Sequence, residues 1–453
     1  MSSMNEVMAA QLAATGDAVS DVDPQQFVES PISAIEDLTI GVEGPVQTDI
    51  LGGTTTLVAR PDHFKEVLVT NADAFEKGAE QSVMRSLLGD GLVTSNGKRW
   101  QVARTALRSF FSAKNLNQGM SIAFGELNKS AADITLHPGR RVNAHRFAGE
   151  LALRMTAAVL FQKQLDEEQA ASIYRACSTA HHWLTMKLWQ PEVAEKDEKG
   201  AANYAEAVAS VRAIVSSMRD EESGIFEALE PVHAQFGSEG VFDELLTLLV
   251  AGFETTATVS AYAIYALANR PDLWPWLREE ADILLDRASD DDASYIRDAP
   301  RTRAFVNEAL RLYPSAWWFA RRAKQDTQIA GVKVSSGDSV LLCPWSLHRQ
   351  PDLWSKALSF EPARWGVSAV DKFAYLPFGV GARSCIGQHL ALTEMTAMVS
   401  ALAGAFDLTP LSGSLENHRP VGGITLGPSD RPMEVAFSIR SPSPLLSPRG
   451  INL

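Results

Sequence analysis

Phe378-Gly379-Val380-Gly381-Ala382-Arg383-Ser384-Cys385-Ile386-Gly387 is the stretch on which the reading of this sequence turns. It follows a strand-like apolar segment and leads into a helical pattern that starts near His389. Its glycines let a backbone turn tightly and lie flush against a flat ligand. A cysteine at the start of a helix gains from the N-terminal dipole and nearby amide donors, which favour the thiolate, the form that binds metal. A lone cysteine is more often a buried structural thiol. Here Phe378, Gly379, Gly381, Arg383, Cys385 and Gly387 occur together, a coincidence of roughly one in a hundred million per start at average residue usage.

Working outward, helical spacing dominates. Arg99 to Phe111, Phe147 to Phe161, Asn203 to Arg219, Val241 to Asn269, Leu273 to Leu285, Arg301 to Leu312 and His389 to Ala405 carry apolar residues three and four apart. Pro271 and Pro314 stop two of these helices. Strands are few: a hairpin within Gly44 to Arg60, then Gln328 to Val334, Ser339 to Cys343 and Met433 to Ser438. The predicted class is mainly α with small β-sheets. At 453 residues the length suggests about three domains. No linker or repeat divides residues 31–440, so one large domain is expected, between an acidic mobile tail at 1–30 and a C-terminal tail at 441–453.

The formal charge of −14 is uneven: residues 1–59 hold nine acids and no Lys or Arg. No secretory or transit signal is visible, and no apolar run reaches membrane-span length; Leu151 to Phe161 is too short and carries Arg154. Three scattered cysteines (Cys177, Cys343, Cys385) make no disulfide framework. A cytoplasmic protein without a membrane span is expected, and the acidity argues against nucleic acid.

Val241 to Asn269 is apolar on most faces, so it is expected to be a buried central helix. In its middle stands Ala251-Gly252-Phe253-Glu254-Thr255-Thr256. A carboxylate and a hydroxyl inside such a helix are costly unless satisfied. The plain alternative has Thr255 bonding back to the Ala251 carbonyl while Glu254 reaches a surface.

The cysteine loop resembles the haem-binding signature of the cytochrome P-450 family, and the acid-threonine run is similar to that family's distal motif. The resemblance spans about residues 40 to 440, with the motifs in the family's order. It implies the cytochrome P-450 fold with the central helix over the haem, and haem b (protoporphyrin IX iron) as cofactor. Cys385 is then the metal ligand, with Phe378 near the sulfur and Gly379 and Gly387 shaping the loop. Trp100, Arg104, Arg383 and Arg321 would meet the haem propionates, Arg322 being the alternative to Arg321. Gly252 would leave room for dioxygen, Thr255 would donate a hydrogen bond to it, and Glu254 would relay protons through water. Glu308 and Arg311 resemble the family's Glu-x-x-Arg pair, joined by Arg364 in Phe360-Glu361-Pro362-Ala363-Arg364-Trp365, where Ala363 and Trp365 depart from the commonest form.

Such a chain is expected to be a monomeric monooxygenase that inserts one oxygen atom from O2 into a small, apolar organic substrate. The pocket is expected to draw on Gly78 to Val93, His181 to Trp189, Leu246 to Thr255, Ser315 to Phe319 and Gly422 to Leu426. Only 68 residues run past Cys385 (385 to 453), too few for a fused flavin reductase, so separate ferredoxin and ferredoxin reductase chains would bring electrons derived from NAD(P)H. The basic residues Lys98, Arg99, Arg104, Arg108 and Lys114, with no acid in 91–125, make either an ordinary solvated face or, as the resemblance implies, a docking face for an acidic donor. The rivals are a peroxygenase or rearrangement enzyme, against which Glu254 and Thr255 argue, and a non-catalytic haem sensor, for which no extra domain is visible.

Overall fold

Helical periodicity this strong folds into a mainly α chain with small sheets. A computed structural model describes residues 24–50, 53–137, 139–218, 224–287, 299–366, 370–429 and 431–440. The long helices, numbered in chain order, are α1 (Gly97–Phe110), α2 (Ala113–Leu136), α3 (Ala144–Phe161), α4 (Glu167–Trp189), α5 (Glu198–Ser217), α6 (Glu230–Asn269), α7 (Trp274–Arg287), α8 (Pro300–Leu312) and α9 (Gln388–Ala405). Helices α6 and α8 end ahead of Pro271 and Pro314, where proline's missing donor and its steric demand on the preceding residue disfavour continuation. Helix α6 starts earlier than its apolar pattern because a break at Gly237 (φ 68°) joins a polar lead-in to the core stretch. Its most apolar part is long enough to cross a membrane, yet 78% of that window is buried inside the protein.

Helices α2 and α4 were not foreseen. The buried face of α4 uses Ala170, Ile173, Ala176, Cys177 and Ala180, mostly small residues beside His181 and His182. A local signal was present: Asp166 accepts from the Gln169 amide at 2.7 Å while Gln169 Oε1 accepts from the Asp166 amide, a reciprocal capping box. Of the expected N-terminal tail, residues 1–23 lie outside the described residues. Pro24–Glu29 is helical, and Phe27 is buried. The expected C-terminal tail, 441–453, also lies outside them.

The expected hairpin forms from β1 (Val46–Ile50) and β2 (Gly53–Val58). With β3 (Phe75–Lys77), β5 (Phe319–Ala323) and β8 (Ser339–Leu342) it makes a sheet of order β1-β2-β8-β5-β3. Strand β4 (Arg141–Asn143) lies in a separate sheet. Gln328 to Val334 is not one strand: it divides into β6 (Thr327–Ile329) and β7 (Val332–Val334), which turn back at Ala330 and Gly331, both at positive φ. After α9, β12 (Glu434–Ile439) pairs with β4 on one side and with β9 (Phe406–Pro410) on the other, and β10 (Pro420–Gly422) pairs with β11 (Leu426–Ser429).

The core lies around α6, which packs along α3 and also meets α8 and α9. Next to it, Glu308 and Arg311 are fully buried on α8. Glu308 accepts from Arg311 (Nη2 2.8 Å, Nε 3.1 Å), Arg364 Nε (3.1 Å), Trp365 Nε1 (3.0 Å) and the Glu361 amide (2.9 Å). Arg311 in turn donates to the carbonyls of His348, Ala357 and Ser359. Trp365 is thus a fifth donor contact for the carboxylate. Because every charge in this cluster has partners, removing one strands another in a low-dielectric site. Arg311→Met is expected to lower unfolding stability by about 3 to 5 kcal/mol and to yield aggregated, haem-poor protein; denaturant unfolding within about 1 kcal/mol of the parent would remove this role.

Candidate active site

A cavity of about 350 Å³ opens between α6, α9, α1, β5 and the cysteine loop. Cys385, Phe378, Gly379, Arg383 and Gly387 line it from below, Trp100 and Arg104 from α1, Arg321 from β5, and Gly252 and Thr255 from α6. Residues scattered over nearly three hundred positions of sequence therefore share one space.

The loop turns at Gly379 (φ 64°) and Gly381 (φ 79°), backbone conformations that L side chains rarely adopt. At Gly381 a Cβ would also lie 2.4 Å from the Leu68 carbonyl oxygen. The Cys385 amide closes the loop on the Phe378 carbonyl at 2.9 Å. The exposed surface of Cys385 belongs to the cavity that it lines. Burial pushes the thiol pKa up, while the Gly387 amide and the Arg104 charge pull it back.

The cavity collects cations. Arg383 Nη2 donates to Asn96 Oδ1 at 3.1 Å, its guanidinium stacks over Trp100 at 4.4 Å, and its Nη1 is buried with no partner. Among the described residues Arg104 donates to Ser384 Oγ alone, at 3.5 Å, and burial lowers its pKa. On β5 the alternation of faces turns Arg321 inward and Arg322 outward. Burial pushes Arg321 down to about 10. Lys77, which the sequence reading missed, also lines the cavity and donates to the Leu92 carbonyl at 2.7 Å. Burial, then Arg383 and Arg321, push it down to about 7. Nothing local marks Lys77; the β3–β5 register pairs it with Arg321 and sets both cations on one sheet face.

Among the described residues no carboxylate forms an ion pair with any of these four cations. Desolvated positive charge without a directly paired carboxylate, beside a thiol in a glycine-shaped loop, suits a flat, metal-bearing ligand with anionic edges. The residues present fit haem.

Across the cavity, Thr255 Oγ1 donates to the Ala251 carbonyl at 2.8 Å, the back-bond set out above as the plain alternative. Thr255 nonetheless lines the cavity. Gly252 has a packing reason as well: a Cβ there would lie 2.8 Å from Thr156 Cγ2 on α3. Glu254 is not among the lining residues. It faces α4 and the β10–β11 turn, where Oε1 meets His181 Nδ1 at 2.6 Å and Thr425 Oγ1 at 3.1 Å.

Three expectations about the surroundings change. The segments at 181–189 and 422–426 do not line the cavity; they close over Glu254 instead. Within Ser315 to Phe319, Ser315, Ala316 and Phe319 line it, whereas Trp317 and Trp318 are buried elsewhere with both indole N–H groups donated to the Gly423 carbonyl. Arg99 does not present its guanidinium as a free docking charge: it donates to the Asp90 and Gly240 carbonyls, sits 3.6 Å from Asp243 and stacks over Phe236. Lys98 and Arg108 are exposed; the Lys114 side chain lies outside the described residues.

Comparison with known proteins bears on this geometry. The family model described as Cytochrome P450 matches residues 42–432. Cyclooctat-9-en-7-ol 5-monooxygenase of Streptomyces melanosporofaciens is 30% identical over 79% of this chain and 81% of its own length. Cyclooctatin synthase of the same organism is 28% identical (82% and 84%), and pentalenene oxygenase of Streptomyces avermitilis is 27% identical (85% and 88%). With the match covering most of the chain, this protein belongs to the cytochrome P450 family and is a haem-dependent oxidoreductase of the monooxygenase type.

Proposed function

We propose that this enzyme inserts one oxygen atom from O2 into a small apolar molecule, a terpenoid ahead of a polyketide or lipid, by hydroxylation or epoxidation. The observation that carries the reading is the thiol of Cys385 and the hydroxyl of Thr255 lining one cavity whose intervening walls are Leu92, Val93, Leu248, Ala251, Ala316 and Phe319. The relatives named for pentalenene, a hydrocarbon, and cyclooctat-9-en-7-ol, an alcohol, support the substrate class.

Haem b supplies the electron reservoir and the oxygen-activating metal when bound, work that no side chain can do. Cys385 would hold the iron as thiolate. Arg383, Arg104, Arg321 and Lys77 would hold the propionates, with Trp100 behind Arg383. Thr255, once released from Ala251, presents its hydroxyl proton to the cavity, and Glu254 replenishes that proton through water. The apolar walls exclude bulk water and hold the substrate.

Electrons come from NAD(P)H through a ferredoxin reductase and a ferredoxin, in a cytoplasmic setting, to a monomeric enzyme. Lys98 and Arg108, exposed along α1, give an acidic donor something to steer toward.

Three measurements bear on this proposal. Neutral terpene hydrocarbons and alcohols are expected to move the purified haem protein from low to high spin, and fatty acids to do so weakly; a shift with charged ligands alone would overturn the substrate class. Thr255→Ala is expected to keep haem and its carbon monoxide spectrum while releasing most reducing equivalents as peroxide, and parent-like coupling would remove the role given to Thr255. Reversing both Lys98 and Arg108 to Glu is expected to slow reduction by an acidic ferredoxin about tenfold at low salt and to flatten its salt dependence; equal rates would count against docking on α1.

A further inference from the structure

One residue step along a helix turns the side chain by about 100°. Thr255 faces the cavity, so Glu254 faces elsewhere, and what it meets there is a histidine. Glu254 Oε1 accepts from His181 Nδ1 at 2.6 Å and from Thr425 Oγ1 at 3.1 Å, and Thr425 Oγ1 lies 3.3 Å from His181 Nδ1. Three separate elements, α4, α6 and the β10–β11 turn, converge on one carboxylate oxygen. A glycine makes room for this: a Cβ at Gly423 would lie 2.7 Å from His181 Nε2 and 2.6 Å from Thr185 Oγ1. His181 and Glu254 keep 21% and 26% of their side-chain surface open although neither lines the catalytic cavity.

The other titratable groups here are poor carriers of a proton. His145 on α3 bonds Tyr174 through Nδ1 at 2.8 Å, and burial pushes it down to about 4, so it is neutral at physiological pH. Burial raises the Tyr174 hydroxyl to about 12, with Glu150 and Arg146 nearby, and burial together with the Glu254 charge raises the Cys177 thiol. Burial also acts to raise the Glu254 carboxyl, but the charge and hydrogen bond of His181, then Thr425 and His145, outweigh it and hold it below its ordinary value.

We infer that His181 is the proton-exchanging partner of Glu254, so that the pair, rather than the carboxylate alone, supplies Thr255. The imidazolium gives its Nδ1 proton to Oε1. That transfer discharges the ion pair, and the neutral carboxyl is then free to turn toward Thr255 and deliver the proton. Nδ1, now vacant, takes a proton from water, and the returning carboxylate re-forms the pair. His181 works through Glu254 and touches no reacting atom, so it is a positioning and relay residue. The inference rests on the relay reading of Glu254 and Thr255 given above.

The test uses haem-loaded protein, with a carbon monoxide spectrum to certify thiolate ligation in every variant. Dithionite-reduced protein is mixed with air-saturated buffer across neutral pH, and the return of the ferric spectrum is timed. His181→Phe is expected to slow that return about tenfold, within what a positioned acid–base group supplies, and to flatten its pH dependence. His181→Asn keeps a donor for Oε1 but cannot carry a proton, and it is expected to be as slow and as flat. A parent-like rate and pH profile in His181→Asn overturns the inference, because a donor alone would then suffice. Glu254→Gln reports on the underlying reading: parent-like behaviour there removes the relay itself, whereas a slow Glu254→Gln beside parent-like His181 variants removes only the part given to His181. Infrared difference spectra add a readout independent of turnover. In His181→Phe the burial of Glu254 loses its main compensation, so the protonated-carboxyl band is expected to persist to higher pH than in the parent and to be lost when Glu254→Gln is added. An unchanged pH dependence of that band in His181→Phe would overturn the pairing.

Discussion

Everything at the cavity floor depends on how one buried imidazole is wired. His348 is fully enclosed, and burial, followed by the charges of Arg311 and Arg349, pushes its pKa down to about 3. It is therefore neutral, with one ring nitrogen able to donate and the other to accept. Its Nδ1 lies 3.2 Å from the Arg311 carbonyl and its Nε2 accepts from the Leu376 amide at 2.9 Å. Arg311 bonds back to the His348 carbonyl and carries Glu308, which gathers Arg364 and Trp365. Leu376 opens the cysteine loop. The charged cluster on α8 and the position of the thiol are thus ends of one hydrogen-bonded path.

The cavity itself is a balance left open on purpose. Burial disfavours charge on Lys77, Arg104, Arg321 and Arg383, and Glu76, Glu80 and Glu244 offset it only in part, from beyond ion-pair distance. Desolvation of this kind is costly unless a ligand brings the missing negative charge, which ties folding of this region to loading of the cofactor. Opposite the cations the walls are apolar, so one end of the cavity suits anionic edges and the other suits a hydrocarbon. Glu254 and His181 lie behind α6, outside the apolar part of the cavity.

The cysteine loop was legible because its requirements are local: two glycines at positive φ, an arginine and a thiol within ten residues need little from the rest of the fold. Glu308, Arg311 and Arg364 were legible by motif, and the structure brings them into contact. Helix α4 was passed over because its buried face is made of small residues that give weak contrast, although Asp166 and Gln169 announced its start. Lys77 gave no sign at all, and His181 was marked only as the start of an expected pocket segment, not as a partner of Glu254. One enters the cavity through a cross-strand pairing with Arg321, the other reaches Glu254 across two helices and a turn, and neither relation is written in sequence spacing. Within the expected segment Ser315 to Phe319, Trp317 and Trp318 turn away from the cavity for the same reason, since an aromatic run states how much surface must be buried but not against what.

The sequence by itself determined the class of fold and the family, because helical period, proline stops and a short glycine-cysteine motif are each satisfied within a few turns of chain. Tertiary structure alone decided that Arg321 and not Arg322 turns inward, that Arg99 is tied to Asp90, Gly240 and Asp243, and that Glu254 looks toward His181 rather than into the cavity. Those outcomes are set by strand register, by helix packing and by which charges meet after burial, quantities that arise only once distant segments are brought into contact.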